Sequence, residues 1–133
     1  MSASRVEVIS ALYEAFARRD LPKILELVHP EITVTQTPEL PWGGDYVGVP
    51  GLQAFFGKLL EHIASQVTPE EYVEAGERVV MLGRTRGAVR ANGSSFDFRA
   101  VHLWEVRDGR ATRFEAYIDT PQMLAALDRA HVG

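Results

Sequence analysis

With 133 residues, 46% of them hydrophobic, the chain has material for one core and is expected to form a single domain over residues 1–133. The net charge of −4 is spread along the chain and leaves no basic stripe for a nucleic-acid backbone, while the lack of cysteine excludes disulfides, thiolate metal sites and cysteine nucleophiles. No apolar run approaches the roughly 20 residues of a bilayer-spanning helix, so a soluble, cytoplasmic chain without membrane or nucleic-acid partners is expected.

Ser4 is a candidate N-cap for a first helix in which Val6, Ile9, Leu12, Tyr13, Phe16 and Ala17 recur at helical spacing. Asp20, Leu21 and Pro22 open a short second helix carrying Ile24, Leu25 and Val28, which Pro30 is expected to end. Ile32, Val34 and Gln36 then alternate with three threonines, the pattern of a half-buried strand with Gln36 pointing inward. Residues 38–51 read as the longest irregular stretch, with Trp42 and Tyr46 either at a pocket rim or capping the core. Pro50 opens a third helix, where Leu52, Phe55, Phe56, Leu59, Leu60 and Ile63 form a wide apolar stripe. Four strand-like runs follow, at 67–75, 78–91, 95–106 and 110–119, divided by Ala75-Gly76, Asn92-Gly93 and Asp108-Gly109 turn signals. Thr120 and Pro121 start a last helix with Met123, Leu124 and Leu127.

Three helices ahead of an antiparallel meander cannot wind into a parallel sheet. The expected architecture is α+β, in the order α-α-β-α-β-β-β-β-α: a curved antiparallel sheet packed on three N-terminal helices, with a short C-terminal helix.

The apolar face of the run at 95–106 carries Phe96, Phe98, Ala100, His102, Trp104 and Val106, so His102 is its one titratable group. A histidine there is either a hydrogen-bonded core residue or a group for proton transfer, since imidazole titrates near working pH. Its surroundings depend on the hairpin register. A two-residue turn at Asp108-Gly109 pairs Arg107 with Arg110 and brings His102 opposite Glu115. A three-residue turn with a glycine bulge instead pairs Val106 with Arg110 and sets His102 opposite Phe114, Ala100 opposite Ala116 and Phe98 opposite Ile118. The second register is expected, because it gathers the apolar residues of both strands on one face and leaves Glu115 and Asp119 on the other.

Several other groups are ambiguous or carry no site. His29, His62 and His131 make no metal motif, and neither metal nor cofactor is expected. Arg84, Arg86 and Arg90 share one side of a strand, as an anion clamp or as a solvated or dimer-facing stripe. Asp119 is a base if its strand bends inward, or the start of the last helix.

The segments LYEAFARRDLPKILELVHPEITV and HLWEVRDGRATRFEAYIDT, the Trp42-Gly-Gly and Tyr46-Val-Gly of the intervening loop, and the helix over 52–60 together resemble a SnoaL-like domain. That family shares a cone-shaped fold with nuclear transport factor two, ketosteroid isomerase and limonene epoxide hydrolase. The resemblance implies a conical pocket for a hydrophobic small molecule and a homodimer, with Val101 and Leu103 on the outer sheet face. It implies a pocket wall including Trp42, Tyr46, Phe55, Phe98, Ala100, Trp104, Phe114, Ala116 and Ile118. The acids of the better-known relatives are missing: the isomerase base aligns with Gln36 and its oxyanion-binding acid with Ala100, the hydrolase carboxylates align with Ala100 and Ala116, and the isomerase tyrosine falls near Leu12, beside Tyr13. What the resemblance leaves is an isomerase- or cyclase-type reaction in which His102 moves a proton next to a carbonyl while Gln36 or Tyr13 donates to the enolate oxygen. The alternative is a non-catalytic binding or dimerisation module.

Overall fold

A computed structural model describes residues 4–128. Ser4 accepts a hydrogen bond from the Glu7 amide and caps α1 (Arg5–Arg18), whose buried face is Val8, Ile9, Leu12 and Ala15. Asp20 caps α2 (Leu21–Leu27) through the Lys23 amide, with Pro22 in the first turn. The helix ends before Pro30, because Val28 already has extended geometry and opens β1 (Val28–Gln36).

The stretch expected to be irregular contains a strand. β2 (Gly44–Val47) pairs antiparallel with β1, setting Tyr46 opposite Val34, and α3 (Gly48–His62) begins two residues ahead of Pro50. The apolar stripe of α3 stops at Leu60, since Ile63 opens β3 (Ile63–Ala75). β4 (Arg78–Val89), β5 (Ser95–Arg107), β6 (Arg110–Ile118) and α4 (Thr120–Asp128) complete the chain.

The six strands form one sheet in the order β2-β1-β6-β5-β4-β3. The α+β class holds, with one parallel pairing of β1 on β6 in an otherwise antiparallel sheet. Helices α1 and α3 lie against it, and the buried Ile9, Leu12, Val34, Phe55, Val79, Trp104 and Phe114 belong to one core. Curvature is written into β4: a Cβ at Gly83 would lie 2.3 Å from the Thr68 carbonyl oxygen and one at Gly87 would lie 2.0 Å from that of Ala64. Only glycine lets β3 fold so tightly over those positions.

The β5–β6 hairpin follows neither register fully. Asp108 and Gly109 both have positive φ, 51° and 76°, so the connection is the two-residue turn that Asp-Gly favours, and Arg107 pairs with Arg110. That turn alone would carry the apolar face of β6 to the outside. A bulge at Thr112 inserts one residue between the Val106–Ala111 and Glu105–Arg113 pairs and restores it. The outcome corrects the expected pairings: His102 lies opposite Ala116 rather than Phe114, Ala100 opposite Ile118 rather than Ala116, and Phe98 has no partner on β6. The face assignment survives, with Glu115 outside, opposite Leu103. Local turn chemistry and burial of the apolar face are both satisfied only by the bulge.

Candidate functional site

Between the helices and the concave face of the sheet lies a cavity of about 800 Å³, within the range of small-molecule pockets. The three buried polar residues among those described, Gln36, Thr85 and His102, all lie on its wall. Their placement follows from strand periodicity: each sits at an inward position of β1, β4 or β5, flanked by outward neighbours.

His102 is held by a chain of hydrogen bonds. The Trp104 indole Nε1–H donates to the Tyr13 hydroxyl over 2.9 Å, and that hydroxyl lies 2.5 Å from His102 Nδ1. An indole N–H can only donate, so the Tyr13 oxygen accepts there and its single proton is free to pass on to Nδ1. The imidazole that accepts at Nδ1 carries its proton on Nε2. No described side chain occupies Nε2, and no buried polar side-chain atom lacks both a partner and access, so this N–H faces the cavity. Rings fix the orientation: His102 stands edge-on to Phe114 at 5.0 Å, and Trp104 packs on Phe114 at 4.4 Å.

The electrostatics agree with a neutral ring. Burial lowers the His102 pKa from 6.5 to about 3, and the donation from Tyr13 to Nδ1 acts in the same direction. Burial also pushes the Tyr13 hydroxyl far above its usual value, so it stays protonated. No Asp or Glu lines the cavity among the described residues, so nothing there favours an imidazolium.

Gln36 is set by the segment that precedes β2. Its Oε1 accepts from the Trp42 Nε1–H over 2.9 Å in a buried contact, which leaves its amide NH2 as the donor end toward the cavity. Trp42 is 1% exposed, a wall residue rather than a mobile rim. Phe55, Trp104, Phe114, Ala116 and Ile118 line the cavity.

Three expected wall residues stand elsewhere. Tyr46 packs edge-on against Phe55 at 5.6 Å and donates its hydroxyl to the Trp42 carbonyl over 3.0 Å, supporting the wall from behind. Phe98 stacks on Phe96 at 5.4 Å beyond the end of β6, and Ala100 is buried without reaching the cavity. Asp119 is exposed and caps α4, accepting from the Gln122 amide over 3.1 Å; it is no base for this pocket.

Thr85 is a wall residue that the reading of the chain passed over. The signal was present: Arg84 and Arg86 project outward, where both pair with Asp97 at 2.7 and 3.8 Å, so the residue between them must point inward. The same ion pairs remove an anion clamp from the outer stripe, and Arg90 donates to the Leu60 carbonyl. Among the described residues no group of three His, Asp or Glu side chains could hold a metal, and His131 lies outside them.

A family profile of SnoaL-like domains matches residues 9–114. The chain belongs to the SnoaL-like family. An NTF2-like protein of unknown function from Burkholderia pseudomallei shares 33% identity with this SnoaL-like chain, covers 94% of it and 98% of its own length, and superposes with a TM-score of 0.86. TerC, co-crystallised with polyporic acid, is 29% identical over 93% of this chain and 98% of its own, with a TM-score of 0.84. A putative polyketide cyclase from Xanthomonas campestris, 20% identical over 92% and 96% of the two chains, has the same fold with a TM-score of 0.79. No curated protein matches the chain. Among the described residues no helix is long and apolar enough to cross a membrane.

Proposed function

We propose that this SnoaL-like chain takes a hydrophobic, carbonyl-bearing small molecule into its cavity and polarises the carbonyl by hydrogen bonds from His102 Nε2–H and the Gln36 amide. The observation that carries the reading is the Trp104–Tyr13–His102 chain, which aims a neutral N–H at the cavity. A buried neutral donor strengthens as negative charge develops on the carbonyl oxygen, as in an isomerase- or cyclase-type proton transfer through an enolate. Here His102 is the donor and Tyr13 its positioning residue. With Nε2 protonated and the pKa at about 3, the ring is a poor base. The proton on carbon then leaves to water in the cavity or to a basic group of the substrate itself. The co-crystallisation of TerC with polyporic acid supports a small-molecule role.

The absence of any carboxylate from the described wall favours a second reading, a binding module that holds the same ligand without turnover. Methyl 2-naphthyl ketone separates the two. Both readings expect its carbonyl stretch to fall on binding and to return in His102→Phe; only the enzyme reading expects the protein to speed exchange of the methyl protons in D2O. An unshifted carbonyl stretch in the bound ketone would remove both. We further propose that a second copy of the chain covers the outer sheet face near Val101 and Leu103; a monomer by sedimentation at micromolar concentration would contradict this.

A further inference from the structure

The solvent-facing part of the cavity wall comes from the end of α1, from α2, from one face of α3 and from the start of β3, and it contains two residues that break the local rules of their helices. Arg19 closes α1 in the left-handed conformation, φ 57° and ψ 37°, with its amide turned back to Phe16 and the next amide, of Asp20, to Ala15. Glycine is the ordinary resident of such a position, because a side chain there crowds its own backbone. Gly57 lies in the interior of α3, where almost any other residue is a better helix former, yet a Cβ added there would meet nothing within 4 Å. Glycine stands where a side chain would fit, and a long cation stands where glycine would.

Local rules broken together at one place point to a function of that place. Arg19 makes no ion pair with any described residue, and it is the one formal charge on the wall once the ring of His102 is neutral. Around it are exposed apolar groups, Leu21 at 49% and Leu25 at 41%. An entrance with one unpaired guanidinium, exposed leucines, the neutral amides of Gln53 and Gln66 and no acid suits an amphipathic anion better than a neutral hydrocarbon, in a chain whose net charge of −4 gives no general attraction for anions.

We propose that the ligand is an organic anion with an apolar, aromatic-sized body: it enters past Gly57, where the missing side chain keeps the passage open, and its acidic group stays at the mouth on Arg19. This rests on the cavity being the ligand site. The body fills the apolar space and any carbonyl reaches the donors at the inner end. Arg19 is then a specificity residue, and its backbone geometry holds the guanidinium at the rim.

Two dyes test the proposal. 8-Anilinonaphthalene-1-sulfonate and N-phenyl-1-naphthylamine share an aryl-naphthyl body, and only the first carries an anion. Arg19→Gly should weaken the sulfonate dye about fivefold, the size of one exposed ion pair, while the neutral dye changes less than about twofold. The thermal midpoint of that variant should rise, because glycine adopts the left-handed conformation without crowding. Arg19→Lys should retain the preference, and added salt should erase it. Gly57→Trp should weaken both dyes roughly tenfold or more by filling the passage. An unaltered ratio of the two affinities in Arg19→Gly would overturn the anion assignment. If Gly57→Trp and His102→Phe both left the two dyes untouched in folded protein, the cavity itself would not be the ligand site.

Discussion

The inner end and the mouth of the cavity are built on opposite terms. The inner end leaves one N–H of His102, the amide of Gln36 and the hydroxyl of Thr85 toward the cavity, and its donors are held in place: Trp104 supports Tyr13, Tyr13 supports His102, and Trp42 supports Gln36. At the mouth, Arg19 and Gly57 each give up local stability and gain nothing in packing. A site needs both: fixed donors lose no freedom when the ligand binds, and an entrance must stay open at a cost to the fold. Substitutions at the inner end should therefore lower stability and binding together. At the mouth the two should move in opposite directions.

The largest effect should come from acid. The His102 pKa is lower in the folded chain, about 3, than in the unfolded chain, so the unfolded chain takes up the proton first as pH falls. Stability is full above about pH 6.5 and is lost progressively toward pH 3, by on the order of 5 kcal/mol in total. Chemical denaturation of the protein and of His102→Gln across this window should give a flatter curve for the variant; parallel curves would mean that His102 is not a buried neutral ring.

Tyr13→Phe comes next. It leaves the Trp104 N–H without an acceptor and His102 Nδ1 without a donor, two buried losses worth together about 2 to 4 kcal/mol. The carbonyl shift of a bound ketone should also broaden or vanish, because the tautomer is no longer held. A cost below about 0.5 kcal/mol would show that the chain of bonds does not form.

The mouth should respond with gains. Gly57→Ala should stabilise the fold by about 1 kcal/mol through helix propensity, and Arg19→Gly by about the same through relief of the left-handed backbone. Urea midpoints measure both, and destabilisation by either would break the contrast between the two ends. The smallest change is Thr85→Val, which keeps the shape of an inward β4 position and removes one hydroxyl from the wall. Its stability should stay within about 0.5 kcal/mol of the parent, with a threefold or smaller loss in ketone affinity.

The inner end was legible in the sequence because strand periodicity is strict. Alternation along 95–106 put His102 on the buried face, and alternation along β1 put Gln36 there; both stand at 7% exposure or less. The contact from Tyr13 to His102 spans 89 residues, and helical spacing gives the buried side of α1 without saying what it meets. The pairing at Asp108-Gly109 was misjudged because turn and face were assumed to be set by one device, whereas the chain uses a tight turn and a separate bulge at Thr112. β2 escaped notice because four residues among Pro and Gly carry too short a period to register. The mouth was invisible for a different reason: a glycine in a helix and an arginine after one are ordinary until the backbone angle of the one and the empty space beside the other are known.

The role given to the cavity depends on His102 offering it a proton-bearing Nε2. Long-range 1H–15N correlation spectra of the histidine-labelled protein, assigned by His102→Gln, measure this without any ligand. The expected spectra show one neutral ring protonated at Nε2 and unchanged from pH 8 to pH 5. A ring protonated at Nδ1, or one that titrates near its ordinary pKa of about 6.5, would contradict it.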